Sequence, residues 1–107
     1  MRPSEQRQES RVEIDLPAQI SVGSQLVLQG RLKDISLKSA FIIMKSSVYL
    51  KVNDEVGFAV QRVAGDKDNF IQGMACVSRI AVGDGMAVYF TRMDERSTGR
   101  LKALLKQ

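Results

Sequence analysis

Apolar residues recur at every second position from Ile14 onward. Ile14, Leu16, Ala18, Ile20 and Val22 share one face, and Leu26, Leu28 and Leu32 share a face of the run that follows. A period of two belongs to a half-buried β-strand, because successive side chains of an extended chain point to opposite sides. Gly23-Ser24, between the runs, supplies a hairpin turn. Ala40 to Met44 is apolar at every position, which predicts a strand covered on both faces. Alternation returns at Val56, Phe58 and Val60 after the turn residues Asn53-Asp54. A long fifth run, Phe70 to Ile80, contains Gly73, a residue type that marks bulges and bends within strands. Val82-Gly83-Asp84-Gly85 joins it to a sixth run, Met86 to Thr91, with Asp-Gly as the hairpin signal.

The period then changes. Leu101, Leu104 and Leu105 lie on one helical face, and Thr91-x-x-Asp94 offers a helix start in which Asp94 itself can cap, so a helix is predicted over residues 94–105. Closely spaced strands without crossover helices predict an all-β fold, a small antiparallel barrel or sandwich with one terminal helix. Closure into a barrel would remove exposed strand edges. Residues 1–10 are polar and carry no periodic pattern, so they read as a flexible arm ahead of a single domain spanning residues 11–107.

Composition narrows the function classes. At 107 residues, 44% hydrophobic and 26% charged, the chain accommodates one domain with one modest core. A net charge of +4 favours anionic partners, although the charge is spread along the chain. Cys76 is the single cysteine; its neighbours Met74, Ala75 and Val77 suggest a buried, inert thiol, and no disulfide framework can form. No apolar stretch approaches the roughly 20 residues that cross a bilayer, and the polar start is not a signal peptide, which together point to the cytoplasm. With no histidine, no Ser-His-Asp triad or Cys-His pair is possible, and one cysteine supports no zinc cluster. The phosphate-cradling and dinucleotide-binding glycine motifs are missing, and Asp66 and Asp68 read as solvated loop residues. The expectation is a protein that is not an enzyme and has no metal site and no cofactor.

Two polar signatures carry the candidate chemistry: Arg7-x-x-x-Arg11 and Asp34-x-Ser36-x-x-Ser39. Paired arginines can grip phosphates and the O6/N7 edge of guanine, while an aspartate and a serine supply an acceptor and a hydroxyl for the base. The arginine spacing recurs at Arg92-x-x-x-Arg96 and Arg96-x-x-x-Arg100, which read as a solvated face of the terminal helix. Asp34 and Ser36 also suit a turn in which each bonds its own backbone.

In this order and spacing, Arg7-x-x-x-Arg11-Val12, Leu16-Pro17, Asp34-Ile35-Ser36 leading into Ala40, Val77-Ser78-Arg79 and Gly85-Met86-Ala87-Val88-Tyr89-Phe90 resemble the PilZ domain, a bacterial receptor module for cyclic di-GMP. The resemblance covers nearly the whole chain and implies a six-stranded antiparallel barrel of split, Greek-key-like form with a C-terminal α-helix. It implies a non-enzymatic receptor whose N-terminal arm orders over cyclic di-GMP and signals to an effector protein. Arg7 and Arg11 would grip phosphates and guanine, and Asp34 and Ser36 would meet the base. Ser39 and Lys38 stand where the family carries glycine, and Lys38 adds a charge that can meet a phosphate. If the backbone at the serine were left-handed, it would cost roughly 1 kcal/mol. Gln6 replaces a basic residue common in the family, leaving ligand stoichiometry open. The rival readings are a PilZ-like interaction module that no longer binds the ligand and a basic barrel for single-stranded nucleic acid. The latter lacks aromatics: of four phenylalanines and two tyrosines, Phe41, Phe58 and Phe90 are assigned to the core.

Overall fold

The computed structural model describes residues 11–45, 50–62 and 70–106. It contains β1 (Val12–Val22), β2 (Leu26–Ile35), β3 (Ser39–Ile43), β4 (Glu55–Gln61), β5 (Phe70–Ala81), β6 (Gly85–Met93) and α1 (Glu95–Leu105). The strands close into an antiparallel barrel in the order β1-β2-β3-β6-β5-β4. Two three-stranded meanders are thereby joined twice, β4 against β1 and β6 against β3. The six-stranded barrel and terminal helix expected from the alternation and the family resemblance are both present.

The inward residues of each alternating run make the core. Ile20, Leu32, Ile35, Ile42, Ile71, Val77, Met86 and Val88 are essentially inaccessible to solvent. Leu101 and Leu104 of α1 close one side, and Phe58 stacks on Phe90 with ring centroids 4.9 Å apart. Helix α1 begins where expected: Asp94 is its N-cap and accepts a hydrogen bond from the Ser97 amide at 2.7 Å. The helix is tied to β5 through the Gln72 amide, which donates to Ser97 Oγ at 3.1 Å, and through Arg100 Nη1, which donates to the Phe70 carbonyl at 2.8 Å.

Five expectations are corrected. Ala40 to Met44 is not covered on both faces: Ala40, Ile42 and Met44 point inward, while Ile43 is 45% exposed and Phe41 faces outward, half-buried. Phe41 is therefore outside the core. Cys76 also faces outward and is half-buried, because it alternates with the inward Ala75 and Val77. Arg92 lies on β6 and not on the helix, since the strand continues to Met93. Arg100, on the helix, is bonded to β5 and so is not simply a solvated charge.

Gly73 serves a close approach. A Cβ there would lie 2.2 Å from the Arg92 carbonyl oxygen, and the bulge in β5 follows immediately, between Met74 and Ala75. A second irregularity positions the candidate site. Between Glu13 and Leu16, β1 holds two residues opposite one in β2, after which Val12 pairs with Ile35 and Glu13 with Asp34. This register delivers Arg11 to the turn that connects β2 to β3.

Candidate ligand-binding site

That turn is built by Ser36. Its side chain is fully buried, and Ser36 Oγ accepts hydrogen bonds from the amides of Lys38 at 3.2 Å and Ser39 at 3.1 Å. The Ser36 amide donates to the Ser39 carbonyl at 2.8 Å, and the Lys38 carbonyl accepts from the Phe90 amide of β6 at 2.8 Å. Leu37 and Lys38 are left exposed at the tip. Asn53 is the only non-glycine residue with positive φ among the described residues, so neither Lys38 nor Ser39 is left-handed. The absence of glycine at these positions therefore carries no backbone strain.

Arg11 lies across this turn. Its Nη2 and Nε both reach Asp34 Oδ1, at 2.5 and 3.2 Å, and its Nη1 donates to Ser39 Oγ at 2.7 Å. The pair remains accessible, with 42% of the Arg11 side chain and 21% of the Asp34 side chain exposed. Of the residues the sequence singled out, the structure brings Arg11, Asp34 and Ser39 into direct contact, with Ser36 beneath and Lys38 at the rim. Arg7 and the proposed arm lie outside the described residues, as do Asp66 and Asp68.

The Arg11–Asp34 pair opens onto a cleft of about 700 Å³ on the outer face of β2, β3, β6 and β5. Its other walls are Lys33, Phe41, Ile43 and Arg79, with Asp84 at one rim and the small side chains of Ala81 and Ala87 lowering the floor. Three cations against two carboxylates make it favourable for an anion. Lys33 Nζ sits 5.7 Å and Arg79 Cζ 5.6 Å from the centre of the Phe41 ring. The sequence reading missed Lys33, Phe41 and Arg79 as site residues; an aromatic two positions beyond Ser39 is visible in the sequence, but that it faces outward is not. Beside the cleft, Tyr89 pairs across strands with both Ser39 and Cys76. A hydrogen bond with Cys76 holds the Tyr89 hydroxyl pKa above its ordinary value.

A second cleft, of about 610 Å³, lies where Gln19, Gly57, Gly73 and Arg92 meet, and holds none of the signature residues. Among the described residues no cluster of three or more acidic or cysteine side chains could hold a metal ion. No helix there is long and apolar enough to cross a membrane.

The family model of the PilZ domain matches residues 5–107. The chain belongs to the PilZ domain family. No curated protein matches it in sequence. Among solved structures it is similar to the Bacillus subtilis inhibitor of motility MotI/DgrA, at 15% identity and a TM-score of 0.78, over 99% of this chain and 55% of that one. The chain thus spans about half the length of MotI/DgrA. It is similar also to the PilZ domain of Escherichia coli YcgR, solved with c-di-GMP, at 13% identity and a TM-score of 0.75 over 94% of this chain and 88% of that one. A third similar structure is the PilZ domain of CeSA from a cellulose-synthesizing bacterium, at 16% identity and a TM-score of 0.67 over 90% and 94% of the two chains. At these identities the likeness is one of fold.

Proposed function

We propose that this PilZ domain is a receptor for cyclic di-GMP, bound in the cleft beside Arg11 and Asp34, that signals to a protein effector through the segment carrying Arg7. The observation that carries this reading is the convergence of Arg11 and Asp34, 23 positions apart, at the open edge of a cation-rich cleft. A guanidinium and a carboxylate side by side present donors and an acceptor to the edge of one guanine, and Arg7 is left to meet phosphate. Lys38, exposed at the turn, is placed to add a phosphate contact, while Ser36 contributes by fixing the turn. Family membership supports the ligand class, and the YcgR PilZ domain was solved with c-di-GMP. In this reading the domain binds and relays and does no chemistry.

One observation favours the rival module that does not bind the nucleotide: Asp34 and Ser39 already occupy Arg11. Calorimetric titration with cyclic di-GMP separates the two. Saturable heat is expected, together with a rise in Tm. Ligand at a hundred times its Kd stabilises a fold by about 2.7 kcal/mol. Loss of a paired arginine–guanine contact costs about 1–3 kcal/mol, so Arg11→Ala should weaken binding about ten- to a hundredfold. No heat and no Tm shift would leave the rival standing.

A further inference from the structure

Phe41, Lys33 and Arg79 belong to neither polar signature, yet they form one constellation in the cleft. Phe41 is directly opposite Asp34 in the β2–β3 register, so the aromatic ring and the carboxylate leave the sheet side by side. Lys33 approaches the ring from β2, the strand adjoining β3, and Arg79 from β5, two strands away on the other side. Arg79 can reach because Ala87 is the residue between them: it pairs with Phe41 across β3–β6 and with Arg79 across β5–β6. A longer side chain at that point would fill the path. The result is a half-buried aromatic surface that faces solvent, with a cation on each side, next to a group suited to the edge of a base.

Aromatic rings flanked by arginine or lysine suit planar, negatively charged ligands, since every base has a face to stack and every nucleotide a phosphate to neutralise. We propose that Phe41 is the stacking platform for the guanine whose edge Arg11 and Asp34 hold, and that Lys33 and Arg79 turn from the ring to the phosphates of the same cyclic dinucleotide. The inference rests on the functional reading above and adds to it the residues that bind the face of the base and the backbone.

The chain contains no tryptophan, so Phe41→Trp introduces a single indole at the platform. In titrations with cyclic di-GMP this variant should still bind saturably, with its emission quenched in step with the calorimetric isotherm. Phe41→Leu, which keeps an apolar side chain but no aromatic face, should weaken binding about tenfold or more. Arg79→Gln, at an exposed position, should weaken binding severalfold, leave the melting temperature unchanged, and leave the remaining affinity less sensitive to salt. Unchanged indole emission in a variant that still binds, or wild-type affinity in Phe41→Leu, would overturn the platform while the receptor assignment stood. A wild type that binds nothing would overturn the receptor assignment, and the platform with it.

Discussion

Arg11 and Ser39 are 28 positions apart in the chain, and Arg11 Nη1 donates a hydrogen bond to Ser39 Oγ at 2.7 Å. A glycine at position 39 could not accept it. Because Ser39 is not left-handed, the consequence of having serine there is chemical and not conformational. The hydroxyl competes with the ligand for the guanidinium. An exposed hydrogen bond to a charged group contributes about 1 kcal/mol, so Ser39→Ala and Ser39→Gly should each raise affinity for cyclic di-GMP roughly fivefold. Equal gains in the two variants, read by calorimetry, identify the hydroxyl as the cause. A gain in Ser39→Gly alone would assign the effect to the Cβ instead.

Ser36 has a different role, and its substitution should show in stability. Its buried hydroxyl accepts from two amides, those of Lys38 and Ser39. Ser36→Ala removes the acceptor and leaves both donors inside the turn. A buried polar group left unsatisfied costs about 1–3 kcal/mol. Urea denaturation should show a loss of that size with an unchanged m-value. Wild-type stability would mean that solvent replaces the hydroxyl in the turn.

Strands β1 and β4 were legible because alternation between a wet and a dry face leaves a period in the sequence. The same holds for Asp94 and α1, where a cap and a change of period coincide. The orientation of Phe41 was not legible: a run that is apolar at every position has no period, so nothing local says which residues face out. The reach of Arg79 to Phe41 depends on β3, β6 and β5 being neighbours and on Ala87 being small, both non-local facts. Arg11 and Asp34 were named from their residue types, but their contact comes from the bulge in β1 and its register with β2. Arg92 was misplaced because its i, i+4 spacing to Arg96 mimics a helix across a strand end.

Two glycines make opposite predictions. At Gly73 a Cβ would meet the Arg92 carbonyl oxygen at 2.2 Å, a backbone atom that cannot step aside without moving β6. Gly73→Ala should destabilise by about 1–3 kcal/mol, as overpacking does. At Gly99, inside α1, an added Cβ has no neighbour within 4 Å. Gly99→Ala should stabilise by about 0.5–1 kcal/mol, because alanine loses less backbone entropy in a helix. Thermal melts of the two variants should move in opposite directions. A rise in Gly73→Ala would show that the β5–β6 contact is looser than its geometry.

The anchorage of α1 should depend on acid through Asp94. The Ser97 amide, donating to its carboxylate, is the main influence that holds the Asp94 pKa below its ordinary value of 3.8; nearby Arg96 and Arg100 act the same way, and partial desolvation opposes them. The sign follows from linkage: a carboxyl whose pKa is lower folded than unfolded contributes stability that is fully present above the unfolded value and is lost as pH falls through the folded one. Asp94→Ala removes the cap at every pH. The wild type should therefore melt several degrees above Asp94→Ala at neutral pH, with a gap that is constant down to the ordinary carboxylate range and narrows only below it. Asp94→Asn keeps an acceptor for the Ser97 amide without the charge, so it should melt between the other two at neutral pH and show no such narrowing relative to Asp94→Ala. A gap between wild type and Asp94→Ala that stayed constant through acid would mean that the capping oxygen, and not its ionisation, holds the helix start.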